Sequence, residues 1–183
     1  MTQAASNSVE PAGGAPGDGS GRHAPLFDLT GIDLSARVAD RDRIGELNPH
    51  RYEMALLDSM VWVADDRTRA IGLVEVREDQ FWVRGHFPGI PMYPGVLMVE
   101  AGAQTACYLW NLTKSDMNTA AFLRIDDAVF RRSVSPGEDL YLLVQEVKNS
   151  RRRFITDVQG RVGNEVAFSA RISGMMLDAR STP

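Results

Sequence analysis

The segment between His86 and Gly95 restricts the backbone more than any other part of this sequence. It carries three prolines and two glycines within eight residues: Pro88, Gly89, Pro91, Pro94 and Gly95. Proline fixes φ and removes a backbone donor, so such a segment can continue neither a helix nor a central strand. The sequence therefore predicts a tight, preset loop that holds His86 in a fixed position.

An apolar helix is predicted directly after this loop, from Val96 to Leu112. The segment has no proline, and its apolar residues fall on every face, which is typical of a helix buried nearly all round. Glu100 is its only charged residue. Burying an unpaired carboxylate costs several kcal/mol, so Glu100 is a candidate functional group. The alternative is that Glu100 serves only packing, through a hydrogen bond to Gln104 one turn along the helix.

Three stretches of the sequence, in order, resemble one known family, the 3-hydroxyacyl-[acyl-carrier-protein] dehydratases of the FabZ type. Residues 86–104 resemble the active-site segment of that family, His-Phe-Pro-Gly-x-Pro-x-x-Pro-Gly-Val-Leu-x-x-Glu-Ala-x-Ala-Gln. Residues 48–58 resemble its Pro-His-Arg-Tyr opening, and residues 125–138 resemble its Ile-Asp-x-Ala-x-Phe-Arg-Arg segment. The resemblance spans roughly Ile44 to Leu177.

The resemblance implies a hotdog fold of the α+β class, in which an antiparallel β-sheet wraps around one long central helix. Short β-branched and apolar runs predict the strands: 59–64, 69–76, 80–84, 122–130, 140–148, 153–162 and 165–176. With 44% hydrophobic residues, the chain suits one domain, which we expect at residues 48–178. Residues 1–25 lack large apolar side chains and are expected to form a disordered tail. Residues 26–47 are expected to be an N-terminal extension, a docked segment followed by a helical turn.

The reaction implied by the resemblance converts a 3-hydroxyacyl thioester to the trans-2-enoyl thioester. It needs a base for the C2 proton, an acid for the departing hydroxyl, and a donor for the thioester oxygen. We expect His86 as the base, Glu100 as the acid and the Gly95 N–H, at the positive end of the helix dipole, as the donor. Neighbouring residues are expected to bind substrate: Val96, Phe87, Pro94 and Tyr93. Neither a metal nor a cofactor is expected.

Partners follow from the same resemblance. The family pairs the histidine of one subunit with the glutamate of another, which implies a homodimer, with a trimer of dimers as the larger assembly. The acyl group would be carried by acyl carrier protein or coenzyme A. Arg131 and Arg132 are candidates for docking the acidic carrier, although such arginine runs are often only solvated. Nucleic-acid binding is not expected, because the net charge is −4 and no recognition motif is present.

The sequence predicts a cytoplasmic protein without membrane association. No apolar run approaches the roughly 20 residues that span a bilayer, and the N-terminus lacks a basic region and an apolar signal core. The single cysteine, Cys107, falls on the apolar helix. Core packing is therefore its expected role, rather than nucleophilic catalysis.

The sequence departs from the family pattern at several positions expected near the acyl chain. Glu53-Met54 replace Pro-Phe, Met92-Tyr93 replace Ile-Met, and Gly102 stands where methionine is common. These changes leave acyl length and carrier open, and they keep two other functions under consideration. One is a hotdog acyl thioesterase, and the other is a non-catalytic acyl-binding subunit. His86 and Glu100 together favour the dehydratase, acting in fatty-acid or related acyl-chain synthesis.

Overall fold

The computed structural model describes residues 24–115 and 118–177. Two helices are present in this part of the chain, α1 (Arg41–Leu47) and α2 (Gly95–Asn111), with a 3₁₀ turn at Tyr52–Met54. The strands are β1 (Ala39–Asp40), β2 (Ser59–Val63), β3 (Arg69–Glu75), β4 (Ala120–Phe130), β5 (Asp139–Asn149), β6 (Arg153–Val162) and β7 (Glu165–Met176). They form one antiparallel sheet in the order β1-β2-β3-β5-β6-β7-β4.

The sheet wraps around α2, which confirms the predicted hotdog fold of the α+β class. Alternate residues of β3 explain how one sheet covers the helix. Ala70 and Val74 belong to the main core with α2, and the Cα of Gly72 lies so close to the helix that an added Cβ would be 2.5 Å from Thr105 Oγ1. Ile71 and Leu73 point to the opposite face, as the period of two requires.

The outer face of the sheet is covered by residues 24–38, which we call the outer strap. Phe27 is buried there against sheet residues that face away from α2: Val61, Ile71, Leu73 and Leu143. The Arg69 guanidinium lies 5.6 Å from the Phe27 ring centroid. Gln159 of β6 fixes the start of the strap, because its side chain accepts from the Leu26 N–H and donates to the Ala24 carbonyl. Of the expected disordered tail, residues 1–23 lie outside the described residues.

Most predicted elements are found close to their predicted bounds, but one strand prediction is wrong. Residues 80–84 form successive turns instead of a strand. The Val83 N–H donates to the Gln80 carbonyl, and the Gly85 N–H donates to the Trp82 carbonyl. Burial of Trp82, whose indole N–H donates to Gln80 Oε1, selects this turn geometry over an extended chain.

Within residues 24–115 and 118–177, no helix is both long enough and apolar enough to span a bilayer.

Candidate active site

The Pro/Gly loop fixes the His86 side chain through its ring. Nδ1 lies 2.7 Å from the Met92 carbonyl oxygen, and the ring stacks on Phe87 with centroids 4.1 Å apart. A carbonyl oxygen only accepts, so Nδ1 carries the hydrogen of this contact. In the neutral imidazole, Nε2 is then the unprotonated nitrogen and the one able to accept a proton.

The N-terminus of α2 lies beside His86. The Pro94 carbonyl accepts the N–H groups of Leu97 and Met98, so the Gly95 and Val96 N–H groups precede the intrahelical bonds. A Cβ at Gly95 would lie 2.8 Å from the Phe130 ring, which explains why glycine occupies this position. At its first turn the helix therefore presents N–H groups that have no acceptor within the helix, together with the positive end of its dipole.

A cavity of about 430 Å³ brings together several of the predicted site residues. We call it the histidine pocket, and its lining includes His86, Tyr93, Gly95, Arg131 and Arg132. Tyr93 is buried with its ring edge-on to Trp82, and its hydroxyl has no hydrogen-bond partner among the described residues. Burial, and then the negative charges of nearby carboxylates, raise the pKa of Tyr93 well above the ordinary value. Its hydroxyl therefore stays protonated.

Glu100 lines a different cavity, which we call the glutamate pocket. Its volume is about 50 Å³, and it lies between α2 and the beginning of β4. The side chain of Glu100 is 19% exposed, and Gln104 Nε2 donates to Oε1 at 2.9 Å, so the anticipated hydrogen bond is present. Cys107 lies in the same pocket and is buried, as predicted. Burial raises the pKa of the Cys107 thiol to about 12, which keeps it from acting as a nucleophile.

The structure adds His50 to the candidate site. His50 Nε2 lies 3.4 Å from Glu100 Oε1, and His50 lines the glutamate pocket. Burial lowers the pKa of His50; the Glu100 carboxylate opposes this effect, and the charge of Arg51 adds a smaller lowering. Its place in the Pro-His-Arg-Tyr segment was the only sequence signal for this residue. Among the described residues, no group of three or more His, Cys, Asp or Glu side chains is arranged to hold a metal ion.

The two pockets lie at opposite ends of β4. Ala120, Ala121 and Phe122, at the beginning of the strand, line the glutamate pocket. Phe130, at its end, lines the histidine pocket. Neither pocket is lined by both His86 and Glu100. Within one chain, the candidate base and the candidate acid therefore occupy separate cavities.

The two candidate docking arginines have different surroundings. Arg131 is exposed at the histidine pocket, where its guanidinium donates to Ser169 Oγ at 2.8 Å. Arg132 donates to Glu138 Oε1 at 2.7 Å and lies 3.5 Å from Glu165 Oε2. The charge of Arg132 is therefore neutralised within the chain, whereas that of Arg131 faces solvent.

Comparisons with known proteins identify the family of this chain. Residues 48–171 match the family model of the FabA-like domain. The chain is 38% identical over 141 residues to a 3-hydroxyacyl-[acyl-carrier-protein] dehydratase FabZ from Janthinobacterium sp. (strain Marseille), covering 74% of this chain and 89% of the relative. It is 39% identical over 138 residues to a FabZ from Pelotomaculum thermopropionicum, covering 74% and 96%.

Among solved structures, a chain of the dehydratase heterocomplex ApeI:P from Xenorhabdus doucetiae superposes with a TM-score of 0.64 at 15% identity, covering 75% of this chain and 92% of that one. At that identity the likeness shows the fold alone. The fold and the family model define a hotdog enzyme of the FabA-like class. Within that class, the chain belongs to the FabZ-type 3-hydroxyacyl-[acyl-carrier-protein] dehydratases, which are hydro-lyases.

Proposed function

We propose that this chain dehydrates 3-hydroxyacyl thioesters on acyl carrier protein in fatty-acid synthesis, with His86 as base and the partner's Glu100 as acid. His86 Nε2 removes a proton from C2 of the substrate, and the electron pair moves toward the thioester oxygen. The Gly95 N–H donates to that oxygen as it gains negative charge. The enolate then expels the C3 hydroxyl, which leaves as water with the proton of Glu100, and the trans-2-enoyl thioester remains.

After one turnover, His86 holds the proton taken from C2 and Glu100 is ionised. Transfer of one proton from His86 to Glu100, directly or through the released water, restores the starting state. No oxidant or reductant is needed, because dehydration leaves the overall oxidation state unchanged. His86 therefore acts as the base and Glu100 as the acid. A general acid or base typically contributes roughly 10²- to 10⁴-fold to the rate.

The observation that carries this proposal is the position of the two pockets along β4. This strand is an edge of the sheet and pairs only with β7 among the described strands. It also exposes large apolar side chains: Phe122, Leu123, Ile125, Val129 and Phe130. Antiparallel pairing of β4 with the β4 of a second copy would give these side chains cross-strand neighbours and place the beginning of one strand beside the end of the other. His86 of one subunit would then face the partner's Glu100.

A turnover assay tests the reaction itself. We expect enoyl absorbance to appear from a 3-hydroxybutyryl thioester without release of free thiol, and His86→Ala and Glu100→Gln each to lower the rate by about 100-fold or more. Release of free thiol would identify a thioesterase. Absence of both signals would identify a non-catalytic acyl-binding subunit. Near-full activity of either folded variant would contradict the assigned roles.

A mixed dimer tests the shared site. In a dimer of one His86→Ala chain and one Glu100→Gln chain, one site carries both defects and the other carries neither. Random pairing makes about half of the dimers mixed, so roughly a quarter of wild-type activity should return if the sites act independently. Each variant refolded with itself is the control and should remain inactive. Verified mixed dimers without recovered activity would refute the shared site.

We also propose that Arg131 contributes to carrier docking, whereas Arg132 is already paired with Glu138 and Glu165. Arg131→Glu should weaken turnover of the carrier-linked substrate more than that of a pantetheine thioester, and the difference should shrink at high salt. Arg151→Glu, the same charge change in the β5–β6 turn, is the matched control and should leave both activities unchanged. Equal losses on both substrates for Arg131→Glu would indicate a structural role.

A further inference from the structure

We infer that His50 is a positioning residue which, together with Gln104, holds Oε1 of Glu100 and leaves Oε2 as the oxygen that delivers the proton. This inference rests on the proposed function, in which Glu100 is the acid. It concerns which atom of the carboxyl group reacts.

Gln104 has only one possible orientation. Its Oε1 accepts the Leu56 N–H at 3.0 Å, so the other end of the amide must be the NH₂ group. That NH₂ donates to the Met54 carbonyl at 2.7 Å and to Glu100 Oε1 at 2.9 Å. Gln104 is 1% exposed, and its own backbone carbonyl accepts from Asn48 Nδ2. The donor facing Glu100 is therefore fixed by the loop that contains His50.

The surroundings of His50 select its tautomer. Nδ1 is buried and has no hydrogen-bond partner among the described residues, whereas Nε2 lies 3.4 Å from Glu100 Oε1. A buried N–H without an acceptor is rarer in proteins than an unsatisfied acceptor, so the hydrogen belongs on Nε2. The imidazole then directs an N–H at the carboxylate, and this contact can shorten when substrate binds, as catalytic hydrogen bonds commonly do.

Both contacts fall on the same oxygen of Glu100. Oε1 accepts the Gln104 N–H at 2.9 Å and faces His50 Nε2 at 3.4 Å. An oxygen that faces two N–H groups acts as the carbonyl oxygen when the carboxyl is protonated, so the proton resides on the other oxygen. The acid is thus oriented before substrate arrives. Loss of the His50 contact would free the carboxyl to rotate about its last bond, and misplacing a reacting group by about 1 Å can lower a rate by roughly 100-fold.

The test compares two replacements of His50 in the full-length protein. His50→Leu removes the N–H and should lower kcat for dehydration about 10-fold or more, with KM within about twofold of wild type, because positioning acts on the reacting group. His50→Gln places an amide N–H near the position of Nε2 and should recover most of the lost kcat. Both variants should keep the thermal midpoint of the wild type.

A double-mutant cycle separates positioning from a general structural effect. At enzyme concentrations that make the residual rate measurable, His50→Leu should cause no further loss in a Glu100→Gln background, because the group it positions is already absent. The inference is overturned if His50→Leu keeps the wild-type kcat, if His50→Gln is as impaired as His50→Leu, or if the loss is equal in both backgrounds. Wild-type protein that forms no enoyl product would instead overturn the proposed function.

Discussion

The helix α2 approaches β6 closely at Gly102. We therefore expect Gly102→Ala to lower or raise the free energy of unfolding, depending on the residue at position 158. A Cβ built on Gly102 would lie 2.3 Å from Val158 Cγ1, but at ordinary contact distances of 3.5 Å from Val158 Cβ and 3.6 Å from Phe168 Cζ. Val158 is itself buried, and valine is stiff at χ1, so its methyl group cannot easily move away. The steric overlap that a Cβ at Gly102 would cause therefore comes from one methyl group of Val158.

The expected magnitude follows from two opposing effects. Alanine is favoured over glycine inside a helix by about 1 kcal/mol. Overpacking a buried site costs about 1–3 kcal/mol, and an overlap of more than an ångström belongs at the upper end of that range. Gly102→Ala should therefore lower the free energy of unfolding by about 2 kcal/mol in the wild type. In a Val158→Ala background the conflict is gone, and the same change should raise the free energy of unfolding by about 1 kcal/mol.

Urea unfolding followed by tryptophan fluorescence measures both effects, at one fixed protein concentration because self-association would shift the transition. Gly45 provides the matched control. It lies within α1, and a Cβ there would meet no atom within 4 Å, so Gly45→Ala should be stabilising in either background. If Gly102→Ala destabilised the protein equally with valine or alanine at position 158, the assigned steric cause would be wrong.

Three further outcomes are expected from side chains described above. Phe27→Ala should lower the free energy of unfolding by about 3 kcal/mol in a urea titration, because it removes the buried anchor of the outer strap; an unchanged midpoint would show that the strap is not held there. Tyr93→Phe should not lower the thermal midpoint, since the hydroxyl it removes is buried without a partner; a clear decrease would reveal a partner. Burial lowers the pKa of His50 below its ordinary value of 6.5, so the unfolded chain binds more protons there, and the free energy of unfolding should decrease as pH falls from 6.5. That decrease should be smaller for His50→Gln, and equal pH dependence in the two proteins would contradict it.

The parts of the fold that could be predicted from the sequence are those specified by local pattern. The Pro/Gly loop, α2 and the long strands follow from proline content, apolar runs and turn residues within each segment. Residues 80–84 also have the composition of a strand. The chain turns there because the Trp82 ring is buried and its indole N–H donates a hydrogen bond to Gln80. Burial of the Trp82 ring, which local sequence does not reveal, favours turns over a strand at residues 80–84.

The candidate site also has a part that could be predicted from local sequence and a part that only the folded chain brings together. His86, Gly95 and Glu100 lie within one continuous segment, so the loop and the helix that carry them could be predicted from it. His50 reaches Glu100 only because the loop before β2 folds over α2, and no periodicity links residues so far apart in the chain. The approach of Arg132 to Glu165 likewise depends on the pairing of β4 with β7, whereas its partner Glu138 is only six residues away in the chain. Sequence pattern predicted the candidate base and acid, but not the side chains that orient and neutralise the site.

The two edges of the sheet differ in a way that limits how far this protein can polymerise. One edge is β1, which is only 2 residues long, while the other is β4, with 11 residues and apolar side chains exposed on both faces. A long unpaired edge is a template for aggregation, so a chain whose β4 is uncovered is vulnerable to it. A sheet with two such edges could add copies without end and form a fibre. With one such edge, the β4 pairing proposed above would use up that edge, and edge-to-edge growth would stop at two copies.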